Sequence, residues 1–429
     1  MDKIRVIGGR KLSGNVTISG AKNAALPLMV ASMLTADRLV LENVPDLADI
    51  KTMGDLLTTH GCKIDSLEKK NSLNQTLPKE LSLQADRIDN ATAGYDLVSR
   101  MRASILVLGP LLARIGSARV SLPGGCAIGT RPIDIHLSGL SQMGAEISLV
   151  DGYIEASVPT KLRGANISLP FPSVGATENL MMAAVLASGE TRIKNAAREP
   201  EVVDLSKCLL KMGANISGIG SDDLIIEGKN ILHGARHQVI PDRIEAGTYA
   251  MAAAITGGSI NIVGADSDHL ELPLEMLIRS GVTVSNTQDG INIAATRPIE
   301  ATDISTNIYP GFPTDLQAQA MALMTIAKGT SAVTESIFEN RFMHVPELAR
   351  LGANISVKGG VAVVRGVEQL KGARLMATDL RASSSLVIAG LAAEGETVID
   401  RVYHIDRGYE RIEEKLSKIG AYITRETAS

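Results

Sequence analysis

The sequence predicts an α/β protein of two domains, assembled from six similar units of roughly 70 residues each, three to a domain. Three observations predict it. One short signature recurs six times, apolar periods alternate between 3.6 and 2 along every recurrence, and the two ends of the chain complement each other. The signature is a helix-like run that ends in glycine and passes into a short alternating strand. It appears as "LLTTHGCKI", "LSQMGAEIS", "LLKMGANIS", "LIRSGVTVS", "LARLGANIS" and "LSKIGAYIT". Its glycines are Gly61, Gly144, Gly213, Gly281, Gly352 and Gly420, separated by 83, 69, 68, 71 and 68 residues. Each stands where a helix C-terminus calls for a left-handed residue.

Within a unit the elements follow one order. A small-residue helix such as "NAALPLMVASMLTAD" or "SSSLVIAGLAAEG" comes first, then a strand such as "RLVLENV" or "ETVIDRV". A loop, an amphipathic helix with its glycine cap and two strands complete the unit. A further strand, opening on an "LxG" turn (at 12, 162, 232 and 370), leads into the next unit. The first unit is enlarged by the polar stretch "SLEKKNSLNQTLPKE" (66–80). The last unit stops at "AYITRETAS", one strand short, and "IRVIGGRKLSGN" at the N-terminus matches "VAVVRGVEQLKGA" in pattern. The N-terminal strand is therefore expected to complete the sixth unit. The domains expected are residues 22–240, and residues 1–21 with 241–429, with a ligand cleft between them. An open solenoid is the competing architecture, disfavoured because solenoid repeats are shorter and more uniform.

Composition narrows the function. With 43 Lys and Arg against 47 Asp and Glu, the balance lacks the basic excess of a nucleic-acid surface. Aromatic residues make up 3% and Trp is absent, which argues against base-stacking platforms. Three cysteines without CxxC spacing fit neither a disulfide framework nor a structural zinc site. The start "MDKIRVIGG" lacks an apolar signal segment, and apolar runs such as 104–113 and 179–188 are too short to cross a bilayer. A soluble protein of a reducing compartment is expected, placed in the cytoplasm.

Unusual polar residues gather at two loop positions that recur from unit to unit. Before the opening helices stand Lys22 and Asn23 in "GAKNAALP", Arg102 in "SRMRAS" and Ser173 to Gly175 in "FPSVGATEN". Asp242 in "PDRIEAG", Thr314 and Asp315 in "FPTDLQAQ", and Asp379 and Arg381 in "ATDLRASS" occupy the same place. Before the capped helices stand Cys126 and Arg131 in "GCAIGTRPID", Arg198 in "AAREPEVVD", Arg341 in "FENRFMH" and Arg407 in "HIDRGYE". Helix N-termini attract anions, and Lys or Arg there adds charge-assisted hydrogen bonds. The set points to an anionic small molecule, while neither a Walker A sequence nor a strand-linked GxGxxG is present. Simpler roles exist for several of these residues. The three aspartates fall near helix starts and suit N-caps; His136 and the other two cysteines, Cys62 and Cys208, suit structural positions. Cys126 is different, a thiol on a Gly-rich loop outside any apolar stripe.

On these motifs the chain resembles the UDP-N-acetylglucosamine enolpyruvyl transferases. The nine segments "GAKNAALP", "LPGGCAIGTRPIDIH", "FPSVGATEN", "AAREPEVVDL", "PDRIEAGT", "GFPTDLQAQ", "FENRFMHV", "ATDLRAS" and "HIDRGYE" stand in the family's order along essentially the whole chain. The resemblance implies an inside-out α/β barrel in each domain and a metal-free addition–elimination that needs no cofactor. It implies phosphoenolpyruvate and UDP-N-acetylglucosamine as partners, with no nucleic acid, membrane or obligate protein partner. Phosphate is the by-product, peptidoglycan synthesis for the cell wall is the setting, and fosfomycin alkylates the family's cysteine. Cys126 would be the acid for C3 and can form a covalent adduct; Asp315 would take the hydroxyl proton. Lys22, Arg131 and Arg407 would hold phosphoenolpyruvate, supported by Arg102 and Arg341. Asn23, Ser173, Val174, Gly175, Thr314 and Ile337 match contacts to the UDP-sugar. Asp379 matches an essential carboxylate, and Asp49 a residue tied to domain closure. Phe171 stands where some members carry Lys. The shikimate-pathway enolpyruvyl transferase is the alternative enzyme, disfavoured by the loop cysteine Cys126 and by "GAKN" in place of "GDKS". A non-catalytic nucleotide-sugar sensor is the alternative of another class, and it would have no use for Cys126 with Asp315.

Overall fold

The computed structural model describes residues 2–67, 79–123 and 133–427. Cys126, Arg131 and most of the insertion at 66–80 lie outside the described residues. The chain forms two compact units. One takes Met1–Ser19 with Pro241–Ser429, and the other takes the described chain from Gly20 to Ile240. The first boundary falls two residues earlier than the sequence suggested, because the Ala21 amide already donates to the Ile240 carbonyl at 2.7 Å, inside the second unit.

Each unit has its own hydrophobic core, and small-residue helices fill it. In the C-terminal unit, Arg243–Thr256, Gln317–Met324 and Leu380–Ala392 pack on one another and are buried along almost their whole length. A helix apolar on every side is stable only inside a core, and Ala, Gly and Ser let neighbouring backbones approach. In the other unit, Lys22–Ala31 and Val174–Ala184 are buried in the same way, the latter against Leu108–Ile115. Amphipathic helices such as Ala48–Thr59 and Pro200–Lys211 bury one face only.

The six signature glycines all take φ between 87° and 99°. After each, the next amide donates five residues back, as in Cys62 to Leu57, Ala145 to Leu140 and Ala214 to Leu209. Val282 to Leu277, Ala353 to Leu348 and Ala421 to Leu416 repeat the bond, all at 3.0 to 3.2 Å. This is the Schellman closure, with a leucine at the third position from the helix end and a small or apolar residue just beyond the glycine.

Among the described residues, six four-stranded sheets share one order, a parallel edge strand followed by three antiparallel neighbours. Asn166–Ser168 runs parallel to Glu190–Lys194, which pairs antiparallel with Asp223–Glu227, and that with Asn215–Ser217. Strands Thr92–Ala93, Ser117–Ser121, Tyr153–Ser157 and Glu146–Val150 repeat the order. So do Ile304–Ser305, Thr330–Thr334, Val361–Arg365 and Asn354–Lys358. Lys3–Ile7 lies between Glu396–Asp400 and Tyr422–Glu426, in the sheet edged by Arg374–Met376.

Two sheets are edged by a strand from a distant part of the chain. Ser13–Thr17 precedes the first unit's helix but pairs with Ser259–Val263, and Arg236–Gln238 precedes the fourth unit's helix but pairs with Leu39–Val44. The leading strands of the first and fourth repeats are thus exchanged, and the chain passes from one compact unit to the other directly after each.

Candidate active site

In the C-terminal unit the site is built around Asp315, in the short 3-10 turn Thr314–Leu316 that opens the buried helix Gln317–Met324. Its side chain makes no cap bond to the helix. Arg341 Nη2 donates to Oδ1 at 2.7 Å and Arg381 Nη2 to Oδ2 at 2.9 Å. Both arginine side chains are nearly buried, at 6% and 5% exposure, while the carboxylate keeps 27%. Burial by itself would raise the Asp315 carboxyl, but the guanidiniums of Arg381 and Arg341 outweigh it and hold it well below the usual carboxylate range. The group is therefore ionised at any physiological pH. Arg381 in turn lies over the ring of Tyr409, 5.6 Å from its centroid.

Beneath this clamp lies a polar layer. Gln319 Nε2 donates to the Asp315 carbonyl at 3.0 Å and to the Tyr409 hydroxyl at 3.1 Å. The Tyr409 hydroxyl also meets Thr248 at 2.9 Å and Ser384 at 3.1 Å, so one buried phenol ties the three core helices together.

The turn before the helix is fixed by Glu335. Its Oε2 accepts from the Thr314 hydroxyl at 2.8 Å, while Oε1 accepts from the Ile337 amide at 2.9 Å and the Thr306 hydroxyl at 2.9 Å. Thr314 and Ile337, 23 positions apart in the chain, are thereby gathered on one carboxylate. Asp379 and Asp242 are N-caps. Asp379 Oδ1 accepts from the amides of Arg381 and Ala382, and Asp242 Oδ1 from those of Ile244 and Glu245. The simple reading of the three aspartates therefore holds for two and fails for Asp315. Arg407 closes the 3-10 segment Val402–Arg407, whose His404 senses both Arg407 and Asp379 electrostatically.

In the other unit, Lys22 is the first residue of its helix and is buried, with Nζ 3.2 Å from Asp49 Oδ2 on the first turn of Ala48–Thr59. Asn23 beside it is exposed. Arg102 begins the 3-10 segment Arg102–Val107 and is half-buried. Ser173 caps Val174–Ala184, its hydroxyl accepting from the Ala176 amide, and Val174 and Gly175 form the half-buried first turn. His136, on Asp134–Gln142, lies against that turn and is held neutral; burial, then the charge of Arg102, pushes its pKa down to about 4. Burial also raises the thiols of Cys62 and Cys208, the latter to about 12.

Sequence reasoning quoted Arg381 without giving it a role, and passed over Glu335 and Tyr409. Arg381 could have been picked out by its unusual place in a helix of Ala, Ser and Leu, where a buried charge demands a partner. Glu335 carries no such mark. Among the described residues no cluster of three or more His, Cys, Asp or Glu could hold a metal ion, and no helix is long and apolar enough to cross a membrane.

Two compact α/β units with an aspartate clamped by arginines at the head of a buried helix define the class. A sequence model of the EPSP synthase (3-phosphoshikimate 1-carboxyvinyltransferase) family matches residues 6–416. The crystal structure of the enolpyruvyl transferase NikO from Streptomyces tendae superposes with a TM-score of 0.86, at 26% identity, over 100% of this chain and 99% of that one. EPSP synthase from Acinetobacter baumannii shares the fold at 17% identity, with a TM-score of 0.74 and full coverage of both chains. Curated relatives narrow the class. UDP-N-acetylglucosamine 1-carboxyvinyltransferase of Granulibacter bethesdensis is 59% identical over 99% of both chains. The protein of that name from Xanthobacter autotrophicus is also 59% identical, over 99% of each. The chain belongs to the UDP-N-acetylglucosamine 1-carboxyvinyltransferase family.

Proposed function

We propose that the chain transfers the enolpyruvyl group of phosphoenolpyruvate to the 3′-hydroxyl of UDP-N-acetylglucosamine and releases phosphate, the first committed step towards peptidoglycan precursors in the cytoplasm. The observation that carries the reading is 59% identity, along 99% of both chains, to proteins bearing that name. The Asp315 clamp supports it chemically. The sugar oxygen attacks C2 of phosphoenolpyruvate, its proton passes to Asp315, and C3 gains a proton from an acid. Loss of a proton from the new methyl group then expels phosphate and regenerates the double bond. A carboxylate kept ionised by Arg341 and Arg381 is unprotonated at all working pH values; its lowered basicity means the hydroxyl proton is taken only as the sugar oxygen bonds to C2, when that proton becomes strongly acidic.

The remaining roles follow the family resemblance. Cys126 supplies the C3 proton, and Lys22, Arg131 and Arg407 hold phosphoenolpyruvate with Arg102 and Arg341 behind them. Asn23, the Ser173–Gly175 turn, Thr314 and Ile337 contact the UDP-sugar; the shared carboxylate of Glu335 would present the last two together. Asp379 assists proton transfer while capping its helix, and Asp49 orients Lys22 through their ion pair. We also read the six like sheets as six units of two inside-out α/β barrels, with domain limits near residues 20 and 240.

The test is phosphate release, which should require phosphoenolpyruvate and UDP-N-acetylglucosamine together. Turnover with shikimate 3-phosphate in place of the UDP-sugar would overturn the assignment, and binding without turnover would favour a sensor. Cys126→Ala should lower the rate on the order of 10²–10⁴-fold, the usual worth of a positioned acid.

A further inference from the structure

Tyr409 is 1% exposed, and its phenol sits in a chain of hydrogen bonds whose direction the partners fix. The Asp315 carbonyl can only accept, so the Gln319 atom 3.0 Å from it is the Nε2 donor, and the same nitrogen donates to the Tyr409 hydroxyl at 3.1 Å. The Tyr409 hydroxyl passes its own hydrogen to Ser384 Oγ at 3.1 Å, and Ser384 donates in turn to the Arg381 carbonyl at 2.9 Å. Thr248 Oγ1, 2.9 Å from the phenol, gives its hydrogen to the Ile244 carbonyl at 2.7 Å and so meets the phenol as an acceptor. Asp315 and Arg381, paired at 2.9 Å through their side chains, are thus joined a second time through their main chains, with Tyr409 as the middle link.

The ring and the backbone of Tyr409 serve the same place. The Arg381 guanidinium lies over the ring, 5.6 Å from its centroid. The Tyr409 amide donates to the Ile405 carbonyl at 2.9 Å, and the Gly408 amide donates to the same oxygen at 3.0 Å. The residues after Arg407 are folded by these bonds into a tight turn. A Cβ on Gly408 would stand 2.8 Å from both Cδ atoms of Leu380, the residue between Asp379 and Arg381. The turn carrying Arg407 therefore rests directly on the helix start that carries Arg381, and the phenol two residues on reaches the Asp315 turn through Gln319.

We propose that Tyr409 is a positioning residue for the transfer reaction, its hydroxyl fixing Asp315 (through Gln319) and Arg381 (through Ser384) at a set distance from the Arg407 turn. The inference rests on the proposed roles of Asp315 as proton acceptor and Arg407 as a holder of phosphoenolpyruvate. Those two groups must serve one event, because the oxygen that gives its proton to Asp315 attacks C2 of the molecule held by Arg407. A small displacement of one against the other slows the attack without loosening either substrate. Burial makes the link strict. Without the phenol oxygen, a Gln319 N–H and the Ser384 oxygen lose a partner inside a buried layer, and the main chains of Asp315 and Arg381 lose their common anchor.

Tyr409→Phe keeps the ring beneath Arg381 and removes only the hydroxyl. Its kcat should fall about 10–100-fold while the KM for phosphoenolpyruvate and for UDP-N-acetylglucosamine each stay within about 3-fold, the split expected of a group that acts on the transition state alone. Ser384→Ala cuts the chain on the Arg381 side and should lower kcat about 3–10-fold, the worth of one neutral hydrogen bond. The double variant should be no slower than Tyr409→Phe, because both changes break one chain. Ile293→Val, in the buried strand Gly290–Ala294 of the same compact unit, controls for lost stability and should keep kcat within about 2-fold of wild type. The inference is overturned if Tyr409→Phe keeps the wild-type kcat, if the KM for either substrate rises more than about 3-fold, if the two single losses multiply in the double variant, or if Ile293→Val is slowed as much. If Tyr409→Phe does not fold, Ser384→Ala is read for the same split, and a wild-type kcat there overturns the inference. A wild-type protein that ignores UDP-N-acetylglucosamine would overturn the functional reading as well; normal wild-type turnover with an unaffected Tyr409→Phe would overturn this inference alone.

Discussion

Removing the Asp315 carboxylate should damage stability and activity by separate routes, and the two can be taken apart. Arg341 and Arg381 are nearly buried, and each gives Asp315 one short hydrogen bond, at 2.7 and 2.9 Å. Asp315→Ala leaves both guanidiniums without that counter-charge. Breaking a buried pair from one side costs about 3–5 kcal/mol, which for a domain of this size is roughly 6–20 °C in Tm. Taking away Arg381 too, as in Asp315→Ala with Arg381→Met, removes one stranded charge and should recover roughly half of that loss. Activity should not follow, since both variants lack the base and should lose on the order of 10²–10⁴ in kcat. Thermal unfolding of the three proteins, with phosphate release measured well below each midpoint, reads both quantities. An Asp315→Ala protein within about 2 °C of wild type would refute the electrostatic account of the clamp. A double variant no more stable than Asp315→Ala would refute the assignment of the cost to stranded charge. The pH dependence has a definite sign. A carboxyl held below its ordinary value stabilises the fold above about pH 4 and loses that contribution only as the pH falls below it, so the clamp should be intact at pH 5.

Acid should weaken the fold earlier through the histidines. His136 and His344 are both pushed down to about 4, so each stays neutral in the fold while it would take up a proton unfolded. Stability should fall as the pH drops from about 6.5 towards 4, by about 2 kcal/mol per histidine at pH 5, and denaturant midpoints at pH 7.5 and 5.0 should show it; a flat profile would refute it. Native protein treated with iodoacetamide or fosfomycin should be modified at Cys126 and spared at Cys62 and Cys208, which are buried with raised thiol pKa values. Peptide mapping that finds the label on either buried cysteine would contradict this. Glu335→Gln should raise the KM for the UDP-sugar more than it lowers kcat, because Oε1 and Oε2 jointly hold Ile337 and Thr314; a loss confined to kcat would place Glu335 in the chemical step instead.

Local rules carried the sequence a long way. A left-handed glycine, a leucine before it and a change of period from 3.6 to 2 all lie within a dozen residues, and they mark each of the six helix ends without reference to the rest of the chain. Motif order identified the family for a similar reason, since the chemistry-bearing residues sit at helix starts that those same signals delimit. Contacts between distant residues were another matter. Asp315 looked like one more helix cap, and its true partners lie 26 and 66 positions further on. The expected domain limits put Ser13–Thr17 with residues 241–429 and Arg236–Gln238 with residues 22–240, but they do not say which sheet each strand edges. All such edge strands carry the same alternation, and either would satisfy either sheet's hydrogen bonds. The sequence by itself determined the repeat, its caps and the residue types offered for chemistry. Tertiary structure decided which strand closes which sheet and which aspartate is charged between arginines, because those outcomes depend on groups that meet only when the chain is folded.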